Sequence, residues 1–313
     1  MTFTSPASFT YPALPTPLPS SLRIGVVALP WHLDRRGEHL GAGPEAILAA
    51  GLPAWLAASG SVIDGPHTIE LTEEEQRQYG AWRKVGVHGA HLAEAVAALR
   101  QRDAFPLVLL GDCNGSLGMI AGLQRAGARR LGMIWFDAHA DFNTPETTLS
   151  GMLGGMPVAV AAGLCLHRLR ERAGIDPPLD MHRIVLAGVR DTDPLEQELV
   201  DEHHLACVST ADLKTGCQHL REEMRRLSEI CDAIYVHIDL DVLDPTDAPG
   251  MNLPVPDGPT ADELAAAIEL CLSIPRSAAL GIASYNVSKD EENRTLAGIY
   301  RVIAGAARGL AGR

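Results

Sequence analysis

Six short apolar runs punctuate the chain: Leu22–Leu29, Pro106–Leu110, Leu131–Phe136, Arg183–Val189, Ala233–Ile238 and Ala279–Ala283. Each is too short for a typical helix and apolar at almost every position, as in a strand covered on both faces. Between them lie longer stretches with helical spacing: Gly89–Arg100, Ser116–Ala126, Pro194–His203, Ala211–Ile230, Thr260–Leu272 and Glu291–Leu310. Strands alternating with helices predict an α/β fold with a mostly parallel central sheet and helices on both faces. Arg35–Pro44 and Asp244–Pro259 are polar, rich in Gly and Pro, and read as long loops. No repeat, linker or shift of composition divides the chain, so residues 22–313 read as a single domain. Residues 1–21 carry prolines at 6, 12, 15, 17 and 19 and read as an extended arm, packed on a neighbouring subunit or on the domain itself.

Composition narrows the function classes. The chain has 313 residues, 46% hydrophobic and 21% charged, which is ample for a globular core. A net charge of −13 argues against nucleic acid or an anionic membrane as partner, because both require a basic face. The arm lacks the basic start and unbroken apolar run of a signal peptide, and no apolar stretch is long enough for a membrane span. Six cysteines are scattered rather than framed as a disulfide scaffold. These features fit a reducing cytoplasm and a small-molecule substrate.

In an open parallel sheet, ligands bind beyond the carboxyl ends of the strands. Gly111–Cys113, Asp137–Asp141, Arg190–Asp193, Asp239–Asp241 and Ser284–Asn286 all fall there. Two strings stand out, Asp137-Ala-His139-Ala-Asp141 and His237-Ile-Asp239-Leu-Asp241. Side chains two apart on a strand share a face, so each string aims three polar groups one way. Four carboxylates packed together would repel one another and resist ionising unless cations joined them. A pair of divalent metals meets that need.

Gly111-Asp112-Cys113, Asp137-Ala-His139-Ala-Asp141 and Asp239-Leu-Asp241-Val-Leu-Asp244-Pro245 closely resemble the signature blocks of the arginase/agmatinase (ureohydrolase) family. Gly41-Ala-Gly43-Pro44, Asn143-Thr144-Pro145, Ser150-Gly151, Arg190-Asp191 and Asp193 extend the likeness, in order, over nearly the whole chain. The resemblance implies a three-layer αβα fold, a trimer or hexamer, and a Mn²⁺ pair bridged by hydroxide. On it, Asp137 and Asp239 bridge both ions, Cys113 and Asp141 complete one site, and His139 and Asp241 complete the other. Asp141 also orients the hydroxide. Asn143, Ser150 and Asp193 match positions that hold the amino-acid end of the substrate, although Asn143 and Ser150 equally read as turn residues and Asp193 as a helix cap. Asp112, Asp244 and Pro245 read as residues that shape turns.

The departures bear on activity. Cys113 stands where the family usually ligates metal through His; a thiolate still binds divalent metal but shifts preference from Mn²⁺ towards Zn²⁺ or Fe²⁺. The other reading is a buried thiol that has lost the ligand. Cysteine at this place is similar to a branch resembling N-hydroxyarginine hydrolases. Gly154 replaces a proton-shuttling His, Met152 an Asn that grips the substrate carboxylate, and Ser284 a Glu that pairs with the guanidinium. His237 replaces a small residue. It reads as a proton donor to the leaving group, as a substitute ligand, or as a support hydrogen-bonded to Asp239 or Asp241. The remaining histidines read as surface or structural. Two functions stay open: a binuclear metallohydrolase cleaving a C–N bond of a guanidino, hydroxyguanidino or related amidine compound, and a catalytically weak or silent metal-binding relative.

Overall fold

The computed structural model describes residues 22–313; the arm expected over 1–21 lies outside them. Eight parallel strands form one sheet: β1 (Arg23–Leu29), β2 (Val62–Thr68), β3 (Phe105–Leu110), β4 (Leu131–Phe136), β5 (Ile184–Ala187), β6 (Ala206–Val208), β7 (Ala233–Asp239) and β8 (Ser277–Ala283). Their order across the sheet is β2-β1-β3-β8-β7-β4-β5-β6. All seven pairings are parallel. The long helices are α1 (Ala81–Gln101), α2 (Ser116–Arg125), α3 (Gln218–Ile230), α4 (Ala261–Ser273) and α5 (Arg294–Ala311). Leu92 and Val96 of α1 and Leu117 and Ile120 of α2 bury one face of the sheet, against Val27, Val108 and Met133. Leu220 of α3, Ile268 of α4 and Ile299 of α5 bury the other, against Val26, Leu107 and Val236. The result is the three-layer αβα arrangement. Among the described residues no helix is long and apolar enough to cross a membrane.

A small antiparallel pair, Trp31–His32 with Arg35–Arg36, lies partly in the expected loop Arg35–Pro44, and the strands of the main sheet absent from the pattern reading are its two edges. β2 is largely exposed and contains Gly65 and Pro66, and β6 has three residues. An edge strand needs neither a continuous apolar run nor a full set of backbone donors, so neither shows in hydropathy. The helix expected over Ala211–Ile230 is two helices, Thr210–Lys214 and α3, separated where Gly216 and Cys217 take positive φ. α1 begins at Ala81, eight residues before the expected start at Gly89. Short helices at Gly43–Ala49, Leu52–Ala57, Pro157–Ala162 and His167–Ala173 were not signalled at all. One glycine shows how tightly the rim is built. A Cβ on Gly111 would lie 2.2 Å from the Trp31 carbonyl oxygen and 3.1 Å from Gly41 Cα, so the first two glycine motifs interlock at the end of β3.

Candidate metal centre

Sheet register brings the two acidic strings together. β4 and β7 pair Trp135 with His237 and Phe136 with Ile238, so one further step sets Asp137 beside Asp239. The strict two-residue alternation ends there, because β4 stops at Phe136 and the chain past it is loop. His139 and Asp141 reach the centre because the loop turns, with Asp141 held at φ 50°. A non-glycine residue in that region costs energy, and such residues concentrate at functional sites. Backbone donors fix the carboxylates: His139 N donates to Asp137 Oδ1 at 2.7 Å, Ala138 N to Asp241 Oδ1 at 3.2 Å, and Asp241 N to Asp239 Oδ1 at 2.9 Å.

Cys113 opens a 3₁₀ turn after β3, whose preceding residue Asp112 accepts from Asn114 N at 2.9 Å and from Leu33 N at 2.6 Å. Asp112 is therefore a turn residue. So is Asp244, which accepts from Thr246 N at 2.9 Å. The Cys113 thiol donates to Asp239 Oδ2 at 2.8 Å, and Ser284 Oγ donates to the same oxygen at 2.6 Å. Ser284, at φ 71°, thus turns its hydroxyl into the acidic cluster.

Two groups of donors result. One atom each from Cys113, Asp137 and Asp141 lies within 4.8 Å of the others, and so does one each from Asp137, His139 and Asp241. Asp137 belongs to both. His139 Nδ1 lies 3.2 Å from both Asp137 Oδ1 and Asp241 Oδ2. Burial pushes the Asp137 and Asp141 carboxyls well above their ordinary range, and the neighbouring carboxylates push them further. Burial and the Asp241 charge raise Asp239 to about 7. The Cys113 thiol is raised by burial and then by Asp239, Asp141 and Asp137. Burial alone would lower His139, but its hydrogen bonds to Asp137 and Asp241 outweigh it and lift it to about 12. Without cations Asp137 and Asp141 are driven towards their protonated, uncharged forms. Oxygen, imidazole and sulfur donors in two adjoining sets fit a pair of divalent metals.

The other expected residues lie around it. Asn143 Nδ2 donates to Asp193 Oδ2 at 3.2 Å, which also accepts from Leu149 N at 3.1 Å, so these residues hold the loop after Asp141. Asp193 also precedes the helix Pro194–Glu202 and forms a capping box with Glu196. Ser150 is exposed and its hydroxyl accepts from Met152 N at 3.2 Å. His237 is fully buried and lies behind Cys113, with Nε2 3.3 Å from the sulfur. Its other nitrogen is 2.8 Å from the Tyr235 hydroxyl, and Trp135 stacks on the ring at 3.6 Å. Its ring bonds therefore go to Cys113 and Tyr235, where Asp239 or Asp241 was expected. Burial holds its pKa well below the usual imidazole range.

A model described as the arginase family matches residues 23–307. The chain belongs to the arginase family. The arginase of Bacillus caldovelox is 32% identical over 280 residues, covering 87% of this chain and 93% of that protein. A solved structure of Bacillus caldovelox arginase aligns with a TM-score of 0.82 at 31% identity, over 92% of this chain and 98% of that one. The formimidoylglutamase of Bacillus subtilis subsp. subtilis str. 168 aligns with a TM-score of 0.72 at 19% identity, over 99% of this chain and 96% of that one, a likeness of fold alone.

Several residues that build this arginase-family centre escaped the sequence reading. Trp135 Nε1 donates to Asp137 Oδ2 at 3.0 Å, and Tyr235 supports His237. Both sit two positions before a singled-out residue on a strand, so the shared face was the available signal. Glu196, buried, accepts from Phe142 N at 2.9 Å and so anchors the backbone next to Asp141. Arg190, named in the sequence as part of a matched block but given no role there, donates through Nη2 to the carbonyls of Asp241 at 3.0 Å and Val255 at 2.8 Å, tying the loop after β7 to the centre. No local pattern marks either role.

Proposed function

We propose that this arginase-family hydrolase is a binuclear metalloenzyme that cleaves a C–N bond of a guanidino, hydroxyguanidino or related amidine compound, giving urea or a urea-like product. The observation that carries the reading is Asp137, which stands in both donor sets. Cys113, Asp137, Asp141 and Asp239 would hold one ion, and Asp137, His139, Asp239 and Asp241 the other. Such a pair, Mn²⁺ by family or Zn²⁺ or Fe²⁺ by the sulfur donor, supplies a water-derived nucleophile near neutral pH and offsets charge developing on the substrate.

The chain's own groups do the rest. Asp141, held by its left-handed backbone, would orient the attacking water by accepting its hydrogen bond on a carboxylate oxygen. His139, whose side chain is 21% exposed, faces the opening, with Nε2 3.9 Å from Asp191 Oδ2. Ser284 supplies no charge to pair with the guanidino group, and its hydroxyl is committed to Asp239. Asn143, Ser150 and Asp193 flank the approach along the loop after Asp141. His237 is enclosed by Trp135, Tyr235 and Cys113, an environment that suits holding the sulfur and not delivering a proton to a leaving amine.

The test pairs elemental analysis with urea release from a panel of guanidino compounds, after loading with Mn²⁺, Zn²⁺ or Fe²⁺. Close to two ions per chain and product from at least one compound are expected. One ion or none under every loading, with no product, would instead establish the silent relative. Gel filtration of the loaded protein checks the expected trimer or hexamer, and fractionation of the source cells checks the cytoplasmic location.

A further inference from the structure

The helices α1 and His167–Ala173 pack against each other, and both line a pair of cavities. One, of about 660 Å³, has Ala81, Trp82, Leu153, Met156, Leu166 and Leu169 in its wall. The other, of about 390 Å³, is walled by Trp82, Arg83, Arg168, Glu171 and Arg172. Trp82 and Arg168 belong to both, so an apolar chamber and a cationic one meet at a single indole ring. Neither chamber shares a residue with the donor sets of the metal centre.

The cations here are positioned but unpaired. Gly86, one turn after Trp82 on α1, leaves room for the neighbouring helix: a Cβ there would lie 2.6 Å from Arg172 Cγ. The Arg172 stem therefore lies against α1, and its Cζ comes 5.8 Å from the centre of the Trp82 ring. Arg83 Cζ lies 5.6 Å from the same ring. Stacking on an indole face holds a guanidinium in place without neutralising it. Glu171 is the one carboxylate of the wall, and it lies 4.0 Å from Arg170 Nη2. Among the described residues Arg83, Arg168 and Arg172 have no ion pair and no side-chain hydrogen bond. A chain of net charge −13 thus gathers three guanidinium forks without carboxylate partners. Such forks match the oxygens of a carboxylate or phosphate. The apolar chamber falls within the range of small-molecule sites, about 300–1,000 Å³. A simple inorganic anion would leave that chamber unfilled, and a neutral apolar molecule would leave the arginines without a partner.

We propose that the two chambers form a second ligand site, separate from the metal centre, for a small amphipathic anion. Its alkyl or aryl body sits in the apolar chamber, and its carboxylate or phosphate head lies among Arg83, Arg168 and Arg172. The site stands whether or not the hydrolase reading does, because it uses none of the metal ligands.

Calorimetric titration with octanoate, decanoate, dodecanoate and decyl phosphate, below their micellar concentrations, tests it on metal-loaded and on chelated protein. Affinity is expected to rise about fourfold per added methylene until the chamber is full. A component of equal affinity should appear with and without metal. Decylammonium and decanol should bind about 10-fold more weakly than the tighter of decanoate and decyl phosphate, which names the head group. Trp31, Trp55 and Trp135 are buried, so quenching of fluorescence by the ligand should report Trp82 and vanish in Trp82→Phe. The exposed Arg168→Glu should weaken the anions about 10-fold and leave decanol unchanged. Ala81→Trp, which fills the chamber from the first residue of α1, should weaken every ligand. Equal affinity for decylammonium and the anions, or indifference to both Arg168→Glu and Ala81→Trp, overturns the proposal. Binding confined to metal-loaded protein also overturns it, since the head group would then sit on the metals. So does a lack of binding in a protein whose oligomer Ala81→Trp separates, which would make the face a contact between copies of the chain.

Discussion

The metal-binding cluster has two halves built from unlike materials at neighbouring strand ends. The Cys113 side is closed. Cys113 is 4% exposed, its sulfur bonded to Asp239 and backed by His237, Tyr235 and Trp135, a fully buried aromatic and imidazole stack. The His139 side is open. Its imidazole is 21% exposed and faces Asp191 across 3.9 Å. A soft donor held rigidly in an apolar wall should retain its ion and discriminate among metals. Harder donors beside an opening should exchange theirs more readily. Asp137 ties the halves together, so the difference teaches that one carboxylate joins two donor sets while local surroundings make them asymmetric.

Removing the shared ligand should erase the contrast altogether. Asp137→Ala is expected to cost both ions and to lower urea release about 10³-fold, checked by elemental analysis and initial rates. Retention of either ion would show that the halves do not depend on a common carboxylate. Changes confined to one half should sharpen it. Cys113→His is expected to shift relative affinity from Zn²⁺ towards Mn²⁺ by about 10²-fold at one site only, read by competitive metal titration. Unchanged selectivity would remove Cys113 from the ligand set. His237→Ala, which takes away the support behind the sulfur, should weaken that same site about 10-fold to 100-fold, with Tyr235→Phe following in the same direction and less far. In cobalt-loaded protein both should alter the sulfur-to-metal absorption band. Loss from the His139 side instead would contradict the division.

The smallest effect concerns the chelated protein. Asp239 is raised to about 7, and burial and neighbouring carboxylates also raise Asp137 and Asp141 well above the carboxylate range. A group with a raised folded pKa favours the folded state at low pH and loses that contribution as pH climbs through the folded value. His139, raised to about 12, acts in the same direction above the ordinary imidazole range. His237 and His88 are depressed by burial and act oppositely, but only below about 6.5. The melting temperature in chelator should therefore fall as pH rises from about 6.5 to 9. Loaded protein should show a flatter profile, and equal slopes would mean that cations do not hold these carboxylates.

Most central strands and the acidic strings were legible because both are local. A strand buried on two faces needs an apolar run whatever surrounds it, and Leu131–Phe136 was read to the residue. The edges β2 and β6 were not, since their stability comes from a single neighbour. His139 and Asp141 do come to the cluster, but loop curvature and not strand alternation turns them inward. Ser284 was recognised as lacking charge, yet its bond to Asp239 depends on a backbone conformation that hydropathy does not encode.

By itself the sequence determined the layer order, the strand ends that carry the clustered polar groups and the chemistry of those groups, because spacing and residue type act over a few neighbours. Tertiary structure alone decided that His237 meets Cys113 across 124 residues and that Asp137 serves two donor sets. Those outcomes depend on sheet order and loop packing, where the energy of a contact lies between residues far apart in the chain and leaves no periodic trace along it.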